Sequence, residues 1–240
     1  MGRPMAGNEN ANAKYFDDWT DYQKLVESID TYALTTRALV GELRGRVADV
    51  GSGGVVNYSC DAITELVLVD ISTDYPNHVA LPASAVLKTG SAVSLPLANG
   101  VHDCLLMQML VHHLAEGDFS TTRARSQAAF CEAFRVLKPG GKIVVIESTV
   151  SAGFEIAERI LFPLTRRLLQ LIGHPMVLQW TPVRLCAFAR EAGFTDIRPT
   201  CIPRGRWMIF LGRRMPTLVV PVTLYKIVAT KPELTPSKGI

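Results

Sequence analysis

An α/β fold, a mostly parallel β-sheet with helices on both faces, is predicted by three observations. Short apolar runs alternate with helical stretches over residues 45–150, a glycine turn follows the first run, and carboxylates or amides recur where the runs end. The first run, Val47–Val50, contains Asp49 and leads into Gly51-Ser52-Gly53-Gly54; the next, Leu66–Val69, closes on Asp70. A short helix is expected between them over Val55–Ala62, then a helix or turn region up to Ala85. Ala85–Thr89 reads as a third strand entering Gly90-Ser91-Ala92, and Cys104–Gln108 as a buried strand running into Met109-Leu110-Val111-His112-His113-Leu114. A helix over Arg125–Leu137, a Lys138-Pro139-Gly140-Gly141 turn and a strand over Lys142–Glu147 complete this region. Parallel sheets bind ligands at the carboxyl ends of their strands, and Asp49, Asp70, Gly90-Ser91, Gln108 and Glu147 all fall there.

The flanks are less regular. Residues 1–12 read as a disordered tail, and Ala13–Leu43 as one or two helices with Tyr15, Phe16, Trp19, Tyr22 and Leu25 largely on one face. After residue 150, Gly153–Gly173 is apolar with paired arginines. Thr181–Ala192 reads as a helix, with Thr181 as its cap, Pro182 at its first position and Gly193 at its end. Ile197–Ile202 and Leu218–Ala229 are the last two expected strands; Arg204–Pro216 is an extra basic and aromatic hairpin or loop, which together with residues 151–180 forms a substrate cover.

The glycine turn restricts the ligand. A strand, a glycine loop and a strand ending in an acid form a nucleotide-binding unit, since glycines let backbone N–H groups approach the ligand and the acid accepts ribose hydroxyls. A dinucleotide fingerprint needs a third glycine three positions after Gly53, where Val56 stands. Asp49 would face phosphates in such a site, and it suits a cationic or neutral ligand instead; S-adenosylmethionine carries a sulfonium and an ammonium and no phosphate.

With the His112-His113-Leu114 loop and the Leu137-Lys138-Pro139-Gly140-Gly141 turn added, residues 45–150 resemble the class I S-adenosylmethionine-dependent methyltransferases, especially the small-molecule branch that includes the ubiquinone and menaquinone methyltransferases. That resemblance implies a Rossmann-like sheet of seven strands with an antiparallel last strand. It implies S-adenosyl-L-methionine as cofactor, with Gly51, Ser52 and Gly53 against its methionine portion and Asp49 holding water or its ammonium. Asp70 would take the ribose hydroxyls, and Ile71, Ser91, Ala92, Gln108 and Met109 would complete the contacts. Tyr15 and Tyr22 are the candidates for a capping segment that reaches the methyl donor. Position 55, glycine in many relatives, is Val here.

At 240 residues the chain suits one domain: an N-terminal cap (13–43), a cofactor-binding core (44–150), a substrate cover (151–216) and the last strand with its tail (217–240). Residues 1–150 hold 12 Lys and Arg against 17 Asp and Glu, whereas residues 151–240 hold 13 against 5. The local basic surplus is consistent with a solvated surface, an anionic substrate, a carrier protein or an anionic membrane. Nucleic acid is disfavoured, because aromatics are sparse among the arginines and Met107-Gln108-Met109-Leu110 lacks the Asn/Asp-Pro-Pro-aromatic pattern of base-amino methyltransferases. Cys60, Cys104, Cys131, Cys186 and Cys201 show no C-x-x-C spacing and read as buried thiols of a reducing compartment. A cytoplasmic location is expected, as is the absence of a metal site, because His112 and His113 are adjacent and no carboxylate triad accompanies them.

Methyl transfer from a sulfonium is a displacement that mainly requires alignment, and a base is needed only where the acceptor must lose a proton. His113, His112 and Glu147 are the candidates for that base. The expected acceptor is a small, apolar or anionic metabolite methylated at oxygen, nitrogen or carbon. Two alternatives stand beside this: a cofactor-binding enzyme of the same fold that catalyses a cyclisation or rearrangement, and a non-catalytic partner subunit.

Overall fold

A computed structural model describes residues 29–71, 81–171, 176–210 and 213–233. Tyr15, Phe16, Trp19, Tyr22, Leu25 and the expected tail lie outside the described residues.

The described residues open with helix α1 (Thr31–Leu39), followed by strands β1 (Gly45–Val50), β2 (Ile63–Asp70), β3 (Ala85–Thr89) and β4 (His102–Gln108). After a 3-10 turn at Val111–Leu114 come helix α2 (Phe119–Val136), strand β5 (Leu137–Val150) and helices α3 (Ala152–Leu171) and α4 (Pro182–Glu191). Strands β6 (Thr195–Cys201), β7 (Trp207–Phe210), β8 (Arg213–Pro216) and β9 (Val222–Thr230) complete it. The main sheet has seven strands in the order β3-β2-β1-β4-β5-β9-β6. All pairings from β3 to β5 are parallel, and β9 runs antiparallel to both β5 and β6. This is the expected sheet, including its antiparallel last strand.

Alternation along the central strands explains the two cores. Ala48, Val50, Leu105, Met107, Ile143 and Val145 face one side, where Phe130 of α2 and Phe188 of α4 cover them. Val47, Leu66, Leu68, Cys104, Leu106, Val144 and Ile146 face the other, under Leu39 of α1 and Tyr58. Trp180, fully buried, donates its indole N–H to Ser126 Oγ at 3.1 Å and meets Phe119 and Phe188 edge-on, so it is a core residue beneath the cover.

Several local expectations are corrected. No helix forms over Val55–Ala62; the β1–β2 crossover is irregular. It is tied down instead by Asn57, whose Nδ2 donates to Tyr32 O and to the hydroxyls of Thr35 and Thr36 on α1. Helix α2 begins at Phe119, six residues earlier than expected, because Asp118 caps it, accepting from Thr121 N–H at 2.8 Å. The Lys138-Pro139-Gly140-Gly141 turn lies inside β5 at a register shift. There Gly140 has φ 74° and Gly141 packs so closely that a Cβ would come 2.9 Å from Lys138 O. The basic stretch does form a hairpin, β7–β8, and the Thr181 cap and Pro182 start of α4 are observed as expected. The five cysteines are free, but only Cys104 and Cys186 are buried; Cys131 and Cys201 are exposed, on α2 and the edge strand β6.

Candidate active site

The carboxyl ends of β1, β2 and β4 open into one cavity of about 450 Å3, lined also by α3 and by Met208 and Ile209 of the hairpin. Asp49, Gly51, Ser52, Gly53, Asp70 and Ile71 line one end of it, with Gly90, Ala92, Gln108 and Met109. Ser91 belongs to the same loop, yet its Oγ accepts from Val93 N–H and it is absent from the lining, so the side chain serves the turn.

The glycine loop has the backbone shape that only glycine adopts cheaply: φ is 73° at Gly51, 53° at Gly53 and 77° at Gly54. A Cβ on Gly51 would sit 2.5 Å from Leu110 Cδ1. Asp70 holds the loop in place, its Oδ2 accepting from Gly53 N–H at 2.9 Å. Asp49 lies beneath it, 1% exposed. Burial pushes its carboxyl up to about 7, opposed by the Tyr58 hydroxyl and reinforced by Asp70. Tyr58 Oη donates to Asp49 Oδ2 at 2.6 Å, while Asp49 Oδ1 is buried without a partner among the described residues.

These residues fit S-adenosylmethionine. The positive-φ glycines clear space for a ligand beside backbone N–H groups, and the two carboxylates with an orphaned oxygen match a cation and hydroxyl donors, not phosphates.

A second group lies after β4. Glu147, fully buried on β5, accepts from Val111 N–H at 2.6 Å, from His112 N–H at 3.3 Å and from Ser148 N–H at 2.7 Å. Its Oε1 also lies 2.6 Å from His112 Nδ1. Both Glu147 oxygens already accept from backbone N–H groups, so Glu147 is the acceptor toward His112 as well; Nδ1 donates, and Nε2 of His112 is the nitrogen left for a ligand. His112 and His113 both line the cavity, their rings 4.0 Å apart; Glu147 does not line it and stands behind His112. The parallel neighbour relation of β4 and β5, with Gln108 opposite Ile146, is what brings Glu147 to the turn.

Sequence reading missed Tyr58, which no spacing signal links to Asp49, and three further polar groups of the cavity lining: Ser148, Glu158 and Gln179. A helical period of 3.6 over α3 places Phe154, Glu158, Leu161, Thr165 and Leu169 on one stripe, a signal that was available for the cavity-facing side.

Residues 48–145 match the family model described as a methyltransferase domain. No curated protein matches the sequence. Among solved structures, the chain is similar to the methyltransferase chain of a complex with the Haloferax volcanii Trm112 methyltransferase activator. There the identity is 16%, the TM-score 0.65, and the match covers 92% of this chain and 97% of that one. It is also similar to a Thermotoga maritima S-adenosylmethionine-dependent methyltransferase described as a possible histamine N-methyltransferase, at 16% identity and TM-score 0.60, covering 93% and 99%. The [4+2]-cyclase SpnF matches at 18% identity and TM-score 0.59, covering 84% of this chain and 82% of that one. Residues 48–145 therefore match a methyltransferase domain, and over most of its length the chain shares its fold with these solved structures.

Among the described residues no helix is long and apolar enough to cross a membrane, and no group of three or more His, Cys, Asp and Glu could hold a metal ion.

Proposed function

We propose that this protein transfers a methyl group from S-adenosylmethionine to a proton-bearing oxygen, nitrogen or carbon of a small, largely apolar acceptor, with His112 taking the proton. The observation that carries this reading is a single cavity shared by the Asp49–Asp70 glycine-loop end and by His112 backed by Glu147. S-adenosylmethionine, when bound, supplies a methyl group on an electrophilic sulfonium. Asp49 and the Gly51-Ser52-Gly53 backbone hold its methionine end, and Asp70 with Ile71 and Ala92 its adenosine end. Phe154, Leu161, Val177, Met208 and Ile209 exclude water and align the acceptor, which accounts for most of the rate gain in a displacement of this kind. Glu147 fixes the His112 tautomer and stabilises the imidazolium formed on proton uptake. Between the two histidines, the Glu147 contact favours His112.

Calorimetry with S-adenosylmethionine and its demethylated product tests the cofactor site. Variant His112→Ala is expected to bind both normally while turnover of an identified acceptor falls by about 10²–10⁴-fold; absence of binding by the wild type would overturn the assignment. The likeness to SpnF favours a second reading, a bound polyene cyclised without methyl transfer. A product of unchanged mass, formed without consumption of the cofactor, would establish it.

A further inference from the structure

The acceptor half of the cavity is walled by α3, the segment before α4 and hairpin β7–β8, and its lining there is mainly apolar. No Lys or Arg lines the cavity among the described residues, although residues 151–240 contain 13. The basic surplus faces elsewhere, so no guanidinium or ammonium group of the described lining awaits an anionic acceptor. Glu158 of α3 is the only carboxylate of the described lining outside the glycine-loop end. Its Oε2 accepts from Gln179 N–H at 3.3 Å, which ties it to the wall of the cavity. Gln179 also lines the cavity; its Nε2 reaches Ser148 Oγ at 3.4 Å, and its Oε1 is buried with no hydrogen-bond partner among the described residues. With His112 Nε2, the acceptor half therefore presents hydrogen-bond acceptors and, among the described residues, a carboxylate with no Lys or Arg beside it in the lining.

We propose that the acceptor is an amine on an apolar body, entering as the ammonium ion, with Glu158 and Gln179 Oε1 holding its head beside His112. A primary ammonium has three N–H donors, one each for Glu158, Gln179 Oε1 and His112 Nε2. A carboxylate ligand would meet Glu158 as a like charge, and an alcohol would leave acceptors unpaired. Burial and the neighbouring Glu155 push the Glu158 carboxyl up to about 7, against the Gln179 N–H bond and His112, so an incoming cation favours its ionised form. The ammonium gives one proton to His112 Nε2, and the neutral amine then turns its freed lone pair from His112 to the methyl carbon to form the new N–CH3 bond. The methyl–sulfur bond breaks with its electron pair kept on sulfur, which leaves S-adenosylhomocysteine as a neutral thioether. This substrate class rests on the methyl-transfer reading above.

The test is titration calorimetry of the full-length protein saturated with S-adenosylhomocysteine, using 3-phenylpropylamine, 3-phenylpropanol and 3-phenylpropanoate at pH 8. The amine is expected to bind about ten-fold or more tightly than the alcohol, with the carboxylate weakest. Glu158→Gln is expected to abolish the preference for the amine while leaving alcohol and S-adenosylhomocysteine affinities unchanged, and Glu158→Lys to reverse the order. An amine that binds no better than the alcohol, no binding by any of the three, or equal losses for amine and alcohol in Glu158→Gln would overturn the proposal. Failure of S-adenosylhomocysteine itself to bind would instead overturn the methyl-transfer reading.

Discussion

Asp49 carries a carboxylate into the interior with a single hydroxyl donor, from Tyr58, and one oxygen unpartnered among the described residues. Its carboxyl is raised to about 7 from an ordinary value near 3.8, so the folded state binds this proton more tightly than the unfolded chain does. The resulting penalty is absent below pH 4, grows as pH rises to about 7 and is constant above that. Asp49→Asn, which can still accept from Tyr58, is therefore expected to be more stable than the wild type at pH 8, by roughly 1–3 kcal/mol. That advantage should shrink to nothing by pH 4. Thermal melts of both proteins across this range check it, while calorimetry should show weaker S-adenosylmethionine binding in the variant. Glu147→Gln behaves differently. The variant amide would set an NH2 group against the N–H donors of Val111, His112 or Ser148, at a cost of about 1–3 kcal/mol, and would release the His112 tautomer. A lowered Tm with lost turnover but retained S-adenosylhomocysteine affinity is the expected result, and unchanged turnover would remove Glu147 from the proposed machinery.

Among the elements, the β1–β2 crossover departs most from its sequence pattern. Helical propensity over Val55–Ala62 is weak, with β-branched Val55 and Val56 followed by Asn57 and Ser59, and tertiary bonds outweigh it. The Asn57 amide bonds to α1, and Tyr58 turns inward to Asp49, which no helical register was needed to achieve. Helix α2 shows the opposite case, in which a local signal was present and undervalued. Asp118 followed by Ser120 and Thr121 is a cap, and Asp118→Ala is expected to lower stability by about 1 kcal/mol, read as a shift of the denaturant midpoint without change in slope. The Lys-Pro-Gly-Gly stretch of β5 reads locally as a turn; pairing of Leu137 with His102 and of Lys142 with Cys104 absorbs it as a register shift within the strand.

Across the molecule, among the described residues Asp30 ties the segment ahead of α1 to the β7–β8 hairpin. Asp30, just ahead of α1, accepts from Arg206 N–H at 2.7 Å and from Trp207 N–H at 3.2 Å, anchoring the hairpin whose Met208 and Ile209 line the cavity. Those donors hold its carboxyl below the usual range against the effect of burial. Asp30→Ala is expected to raise hydrogen exchange at Arg206 and Trp207 and the acceptor KM, with S-adenosylhomocysteine affinity unchanged. Exchange equal to that of the wild type would show that the anchor does not hold the hairpin. A second tie, Glu42 bonded to Lys142 at 2.9 Å and Lys226 at 2.6 Å, fastens the end of the α1 segment to β5 and β9, so α1 is held on both sides.

The sequence alone specifies the order and type of the sheet strands: β1, β4 and β5 carry apolar runs buried on both faces, whereas the largely exposed β3 and β6 follow from the alternation of strands and helices. It also determined the glycine loop, Asp49 and Asp70, because positive φ and a carboxylate at a strand end are local requirements. What those residues meet is set by contacts between distant segments. Tyr58 reaches Asp49, Glu147 stands behind His112, and Glu158 and Gln179 share a wall with them, through contacts between segments up to tens of residues apart that no period or cap encodes. Sheet pairing brings the strand ends to one edge, and the side chains converging there define the chemistry of the cavity.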